Sequence, residues 1–446
     1  MPPADPETRP LAVLVLAAGK GTRLKSSRPK VLHEVCGRSL LGYPVAAAES
    51  LKPSRLLVVV GPEADEVRAR FSESAEFVVQ AEPRGTGHAV LACREALAGF
   101  SGDILVLYGD TPLLRGATLA RMRQLRQEQS ADLVLLTAPV DVPGIVVRDE
   151  GGRVARIVEV PDATPAELSI RERNTGVYLL DAELCWKLLA RVGDDNAQGE
   201  LYLTDTVELA VGDRLRVEAL ELPGPEEALG VNTRAELARA MDLMRRRIAN
   251  RWLEAGVTLV DPAATYIDAD VEIGPDTLIE PGCVIQGRTR IGARVHLKAH
   301  CTIESSRIGD DVEMGPCAHL RPNCDIGAGS RIGNFVEVKN SVLGRGVKAD
   351  HLSYIGDADV GDRASFGCGS VVVNYDGAAK HRTRVGERAF IGCNVNLIAP
   401  LEIEADSYVA AGSTITTRVP EGALAVARAR QRNIEGWVDR RGRRRE

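Results

Sequence analysis

A chain of 446 residues is longer than one hydrophobic core usually serves and implies two or three domains of roughly 150 residues each. With 44% hydrophobic and 26% charged residues it is unlike a disordered chain, and a formal net charge of −6 excludes a general attraction to nucleic acid or anionic lipid. Aromatic residues make up only 4% beside 43 glycines, which points to small aliphatic side chains packed in a repetitive, turn-rich architecture.

Residues 1–10, MPPADPETRP, read as a disordered N-terminus and lack the basic and apolar regions of a signal peptide. No later apolar run approaches the roughly 18 residues a membrane span needs, so a cytoplasmic protein without a membrane partner is expected. From Leu11 the apolar runs LAVLVLA, RLLVVV, FVVQ and DILVLY alternate with helical patterns. Strands interleaved with helices imply a Rossmann-like α/β domain with a mostly parallel sheet, over residues 11–229.

The first strand runs into Leu16, Ala17, Ala18, Gly19, then Gly21 and Arg23, with Lys30 close behind. Glycines here let backbone N–H groups approach phosphate oxygens that Arg23 and Lys30 neutralise, although a Gly-x-Gly alone also fits a plain tight turn. It is neither a Walker A loop nor a GxGxxG dinucleotide turn. Gln80 and Gly85-Thr86-Gly87 follow the strand FVVQ, where amide and backbone groups suit a nucleobase edge. Tyr108-Gly109-Asp110 ends the strand ILVL, and a carboxylate there faces the crevice where open α/β sheets bind ligands and suits Mg2+ beside a phosphate. Read alone, Asp110 also fits a loop aspartate opening the next helix.

Residues 230–253 form one amphipathic helix, with Leu237, Met241, Met244, Ile248 and Trp252 at steps of three and four and a Thr233/Glu236 capping box at its start. Beyond it the period becomes six. Ile267, Ile273, Ile279, Ile285, Ile291, Leu297 and Ile303 open a rhythm that slips by one at intervals and continues through Ile332, Ile355 and Val372. A twelve-residue break at 373–384 interrupts it before it resumes from Val385 to Ile415. Such a repeat over 254–437 predicts a left-handed parallel β-helix of roughly eight coils, each rising about 4.8 Å, with the break projecting as a loop. Arg321 and Lys339, eighteen residues apart, should stack on one wall, where like charges call for an anion between them. A solvated basic face fits the same two residues. His351 is a base titrating near neutral pH, or else a lone surface histidine. The nine cysteines carry no CxxC pair and read as reduced thiols. Residues 438–446 form a basic, solvated tail.

Read in order, L-x-A-G-x-G-T-R-L, Q-A-E-x-x-G-T-G-H-A, Y-G-D, I-V-E-x-x-D-A-T, N-T-G, N-A-Q-G-E-x-Y-L-T-D and G-V-N-x-R resemble the bacterial bifunctional N-acetylglucosamine-1-phosphate uridyltransferase/glucosamine-1-phosphate acetyltransferase family, from about residue 11 to 437. The resemblance implies an enzyme making UDP-N-acetylglucosamine, a cell-wall precursor, from glucosamine-1-phosphate, acetyl-CoA and UTP. It puts Leu16, Ala17, Ala18, Gly19, Arg23 and Lys30 on the nucleotide, with Gln80, Gly85 and Thr86 on uracil. Tyr108 and Gly109 join the UDP-N-acetylglucosamine site, Gly144, Glu159 and Asn174 receive the N-acetylhexosamine, and Asp110 and Asn232 hold Mg2+. In the repeat half it makes His351 the general base, puts Arg321, Lys339, Tyr354, Ser365 and Lys380 on the sugar phosphate, and assigns Cys368, Asn374, Tyr375, Cys393, Ala411 and Arg428 to acetyl-CoA. A homotrimer follows, with Lys380 reaching an adjacent subunit. Five positions depart from the family: Ile145 where Arg is usual, Pro161 where Lys is usual, and Ser365, Cys368 and Cys393 where Asn, Ala and Ser are usual. The residues alone leave two other readings, nucleotidyl transfer with the rod as an oligomerising wall and a non-catalytic assembly subunit. Arg321, Lys339 and His351 argue against the first, and Lys30, Asp110 and Asn232 against the second.

Overall fold

The computed structural model describes residues 9–19 and 21–441. Most of the expected disordered N-terminus, and residues 442–446 of the expected basic tail, lie outside the described residues. The chain divides between Met244 and Arg245 into two compact units.

The first unit is built on nine strands: β1 (Leu11–Leu16), β2 (Arg55–Val60), β3 (Glu76–Val79), β4 (Asp103–Tyr108), β5 (Leu133–Ala138), β6 (Gly144–Arg148), β7 (Val154–Glu159), β8 (Arg173–Asp181) and β9 (Val217–Glu221). Their order is β9-β5-β8-β4-β1-β2-β3, and β6 pairs with both β8 and β7. The strands β1, β2, β3 and β4 are mutually parallel, while β8 runs antiparallel to β4 and β5. The central strands are apolar on both sides because both faces are covered. Leu11, Val13 and Val15 enter one core with Val58 and Leu105, and the alternating Ala12 and Leu14 enter the other with Leu57 and Ile104. The carboxyl ends of β1, β2, β3 and β4 therefore open on one edge.

A helix from Arg234 to Glu254 spans the division between the units. Its capping box is formed: the Glu236 backbone N–H donates to Thr233 Oγ1 at 3.2 Å, and Glu236 Oε2 accepts from the Thr233 N–H at 2.7 Å and the Asn232 N–H at 2.8 Å. The cap thereby fixes the backbone of Asn232.

The second unit is the parallel β-helix. Three sheets of ten, nine and eight short strands run its length, and every strand pairs with the one three positions further along the chain until the last turn. All the six-residue aliphatic positions point inward; Ile285, Leu297, Leu320, Ile332, Val338, Ile355, Ile391 and Leu397 are among those without exposed surface. The coils exceed the expected eight because pairing begins at Thr258 and ends at Leu424–Ala425. Each coil turns at left-handed corners, filled by residues such as Asp311, Asn323, Arg363 and Asn394 as well as by glycine. Polar corner side chains tolerate that region better than β-branched ones, which explains the scarcity of Val and Ile there. Among the described residues no helix is long and apolar enough to cross a membrane.

Candidate active sites

In the first unit a cavity of about 280 Å³ opens at the carboxyl ends of the parallel strands. Leu16, Ala17, Ala18 and Gly19 leave β1 along one side, Gln80, Gly85 and Thr86 form another, and Tyr108 and Asp110 close the end of β4. Two glycines are sterically required. Gly85 has φ 98° and a Cβ there would come within 2.6 Å of the Leu201 carbonyl, while Gly21 has φ 62° and a Cβ would meet Lys30 Cβ at 2.4 Å. The loop after β1 therefore folds tightly over Lys30.

Lys30 is the centre of the arrangement. Its ammonium pairs with Asp110 and donates to Asn232 Oδ1 at 2.9 Å, joining residues from three distant parts of the chain. The Val231 N–H donates to the Asp110 carbonyl at 2.9 Å, which ties the G-V-N segment to the end of β4. Two oxygen ligands thus converge on one position already held by a cation. Gln80 is buried, and its amide donates to the Gly85 carbonyl at 3.2 Å.

Gly144, Glu159 and Asn174 lie together because β6 pairs Gly144 with Asn174 on one side and with Glu159 on the other. Asn174 donates to Tyr178 Oη at 2.6 Å, and Glu159 accepts from Thr204 Oγ1 at 3.3 Å. Burial raises the Glu159 carboxyl above its ordinary range, helped by the nearby Asp205 and Asp162 charges. Asp205 is itself pushed up to about 6 by burial. Glu200, which lines the cavity, and Thr204, which donates to Glu159, were missed, although both fall inside the N-A-Q-G-E-x-Y-L-T-D motif. Ile145 does not face the candidate pocket. It is fully buried and sits opposite Arg173 in the ladder, one position from Gly144 and so on the other face of the sheet. Pro161 is exposed in a 3-10 turn just after Glu159, and Arg23 is exposed outside the cavity lining.

The second unit carries two clusters. In one, Arg321, Lys339 and Gly356 occupy successive coils of a single face, since Leu320 pairs with Val338 and Lys339 with Gly356. Lys380 comes from the loop that interrupts the repeat, and its ammonium lies against Lys339, depressing the Lys339 ammonium below its ordinary range. Asp357 offsets this charge. It accepts from Asn340 Nδ2 at 2.5 Å and from Asn374, and Asn374 also reaches Tyr354 Oη at 3.4 Å. The loop folds back because Tyr375 bridges to Lys380 and Asp376 accepts the Ala378 and Ala379 N–H groups. Lys380 consequently lies against Lys339 of its own chain.

In the other cluster His351 Nδ1 lies 2.7 Å from Asn334 Oδ1, an arrangement that suits the tautomer protonated at Nδ1. Both residues line a cavity of about 390 Å³ with Lys298, Glu313, Arg331 and Asp350. Asn334 was not identified from sequence; the signal was its spacing of 17 residues from His351, one coil with a slip. Cys368 and Cys393 lie in the coils beyond His351, and Ser365 pairs with Lys348, on the strand that ends at His351. Ala411 and Arg428 are exposed. Among the other histidines, His88 meets Gln80, His296 meets Glu280, His319 meets Glu304 and His381 meets Asp376.

Comparison with known proteins adds to this geometry. Residues 13–197 match the MobA-like NTP transferase domain, and residues 270–305 and 305–340 match the bacterial transferase hexapeptide (six repeats). The chain is 46% identical to the bifunctional protein GlmU of Pelobacter propionicus, covering 96% of this chain and 98% of that one. It is 47% identical to the GlmU protein of an Exiguobacterium species, covering 96% and 99%, and 44% identical to that of Thermoanaerobacter pseudethanolicus, covering 97% and 98%.

Proposed function

Because the chain belongs to the bifunctional GlmU family, we propose that it makes UDP-N-acetylglucosamine in two steps, acetyl transfer from acetyl-CoA to glucosamine-1-phosphate and then uridylyl transfer from UTP. The observation that carries the reading is the presence of two separate polar clusters built on lysine, Lys30 beside Asp110 and Asn232 in one unit, and Lys339 with Lys380 and Arg321 in the other. Uridylyl transfer is assigned to residues 11–229, the linker helix to 230–253 and acetyl transfer to 254–437.

In the first site a phosphate oxygen of the sugar phosphate attacks the α-phosphorus of UTP and pyrophosphate leaves. Such transfer rests on positioning and charge neutralisation, so no covalent nucleophile is needed. Lys30 turns from Asp110 to the phosphates when nucleotide binds. Asp110 and Asn232, whose oxygens converge on the Lys30 ammonium, would then hold Mg2+, an ion that takes one or two protein ligands and completes its shell with phosphate and water. When bound, Mg2+ would neutralise charge on the transferring phosphate. Glu159 and Asn174 receive the sugar.

In the second site Arg321, Lys339 and Lys380 seat the sugar phosphate, and the repulsion between the two ammonium groups is relieved by the bound anion. His351 Nε2 takes the proton from the sugar amine as the amine attacks the thioester carbonyl, while Asn334 holds the imidazole tautomer. Tyr354 and Ser365 contact the sugar, and Asn374, Tyr375, Ala411 and Arg428 contact acetyl-CoA. A homotrimer is part of the proposal. Its support is the exposure of Phe335 and Leu352, next to Asn334 and His351, and of Phe390 stacked on Tyr408. Since UTP and acetyl-CoA are cytoplasmic metabolites, that compartment is proposed too.

One pair of assays tests the whole reading: release of free CoA with glucosamine-1-phosphate and acetyl-CoA, and of pyrophosphate with N-acetylglucosamine-1-phosphate and UTP. Pyrophosphate release alone would reduce the rod to an oligomerising wall, and neither activity would remove the enzymatic reading. A monomeric mass in light scattering with full acetyl transfer would remove the trimer.

A further inference from the structure

All nine cysteines are free, and only Cys393 is exposed, with Cys368 half-buried. The β-helix register sets these two against one another. Ser365 pairs with Phe390 and Phe366 with Ile391, and the Asn394 N–H donates to the Cys368 carbonyl at 2.8 Å. Cys368 and Cys393 therefore hold the same turn position in successive coils. The residue after each is left-handed, Gly369 at φ 75° and Asn394 at φ 53°, so the two turns match and the two side chains leave the wall together. Continuing the same pairing places His351 one coil before Cys368 and Ala411 one coil after Cys393. The column reads His351, Cys368, Cys393, Ala411.

Coils stacked about 4.8 Å apart fall inside the Cα separation a disulfide spans, and parallel Cβ atoms at that spacing lie slightly beyond the relaxed Cβ distance. A bridge closes with a small inward shift and is readily reduced. We infer that Cys368 and Cys393 are a reversible thiol-modification site: a disulfide across the two coils halts acetyl transfer and leaves uridylyl transfer running. The inference rests on the acetyl-CoA site proposed above. There, the pair replaces the small residues usual in the family, between the base and Ala411, and bridging pins two sulfurs where the thioester must lie.

The oxidant is a low-molecular-weight disulfide. The exposed Cys393 thiolate attacks one of its sulfurs, forming a mixed disulfide and releasing one thiolate. Cys368, its proton taken by His351, then attacks the Cys393 sulfur and expels the second thiolate, which recovers the proton. Two protein thiols and one small disulfide become one protein disulfide and two small thiols. Cys283 and Cys301 share a hydrogen bond but are fully buried, out of reach of a dissolved oxidant.

The test treats the full-length protein with glutathione disulfide, maps the cross-linked peptides by mass spectrometry and measures both activities. The expected result is a Cys368–Cys393 peptide, acetyl transfer lowered at least tenfold and restored by dithiothreitol, and unchanged pyrophosphate release. Each variant is compared with its own reduced form: Cys393→Ser should show no oxidative loss, and Cys368→Ala should stop at the glutathione adduct on Cys393. Failure to find the 368–393 peptide overturns the thiol pairing while leaving the site assignment intact. If the peptide forms at the same rate with and without saturating acetyl-CoA, or forms without loss of acetyl transfer, the acetyl-CoA assignment fails and the switch with it.

Discussion

The two units assemble their sites by opposite means. In the α/β unit Lys30, Asp110 and Asn232 are separated by 80 and 122 positions and meet only because the ends of β1 and β4 and the segment before the Arg234 helix converge on one edge. In the β-helix, Asn334 and His351, or Arg321 and Lys339, meet because they are one coil apart. The first kind of site depends on long-range topology, the second on local repetition, and each should respond to change in its own way.

The largest expected effect separates the two chemistries. His351→Ala should lower acetyl transfer by about 10²–10⁴-fold, the usual contribution of a general base, with pyrophosphate release unchanged. If both activities fell together in a folded variant, the two sites would not be independent. Asp110→Asn should do the reverse, lowering uridylyl transfer about a hundredfold at saturating Mg2+ while CoA release persists; near-normal turnover would remove Asp110 from the metal site.

Stability should sharpen the contrast. Ile355→Ala removes a fully buried member of the aliphatic column and should cost about 2–5 kcal/mol in denaturant unfolding of the β-helix. Its loss should be concentrated in neighbouring coils, as hydrogen exchange would show, because each coil contacts only the next. The smallest effect concerns Asp205. Its carboxyl is pushed up to about 6 in the folded protein from an ordinary value of 3.8, so the native state binds the proton more tightly than the unfolded chain. Stability from this group is present below pH 4 and is lost as pH rises towards 6. Asp205→Asn should therefore raise Tm relative to the parent at pH 8 and give little or no gain at pH 4; a gain independent of pH would point to another cause.

Much of this was legible in the chain. The six-residue period located the inward column residue by residue because a β-helix converts sequence position directly into depth. Motifs located the lining of the nucleotide cavity because glycine is demanded where backbone meets backbone, as at Gly85 against Leu201. Asn334 was not legible: an asparagine one coil from a histidine carries no local signature until the slip in the repeat is counted. Nor was the position of Ile145, which depends on pleat and pairing. The approach of Lys380 to Lys339 was not legible either, since it is decided by the Tyr375 bridge and the Asp376 turn within the loop.

What the sequence determined by itself is the pair of architectures and the residue types at their sites, since period and glycine spacing are imposed by local backbone geometry. What only the tertiary structure decided is which side chains face one another: Lys30 between Asp110 and Asn232, Lys380 against Lys339, and Cys368 over Cys393. Coulomb and thiol chemistry depend on separations of a few ångströms. Distances that short between residues far apart in the chain exist only once the sheet edge has closed and the coils have stacked.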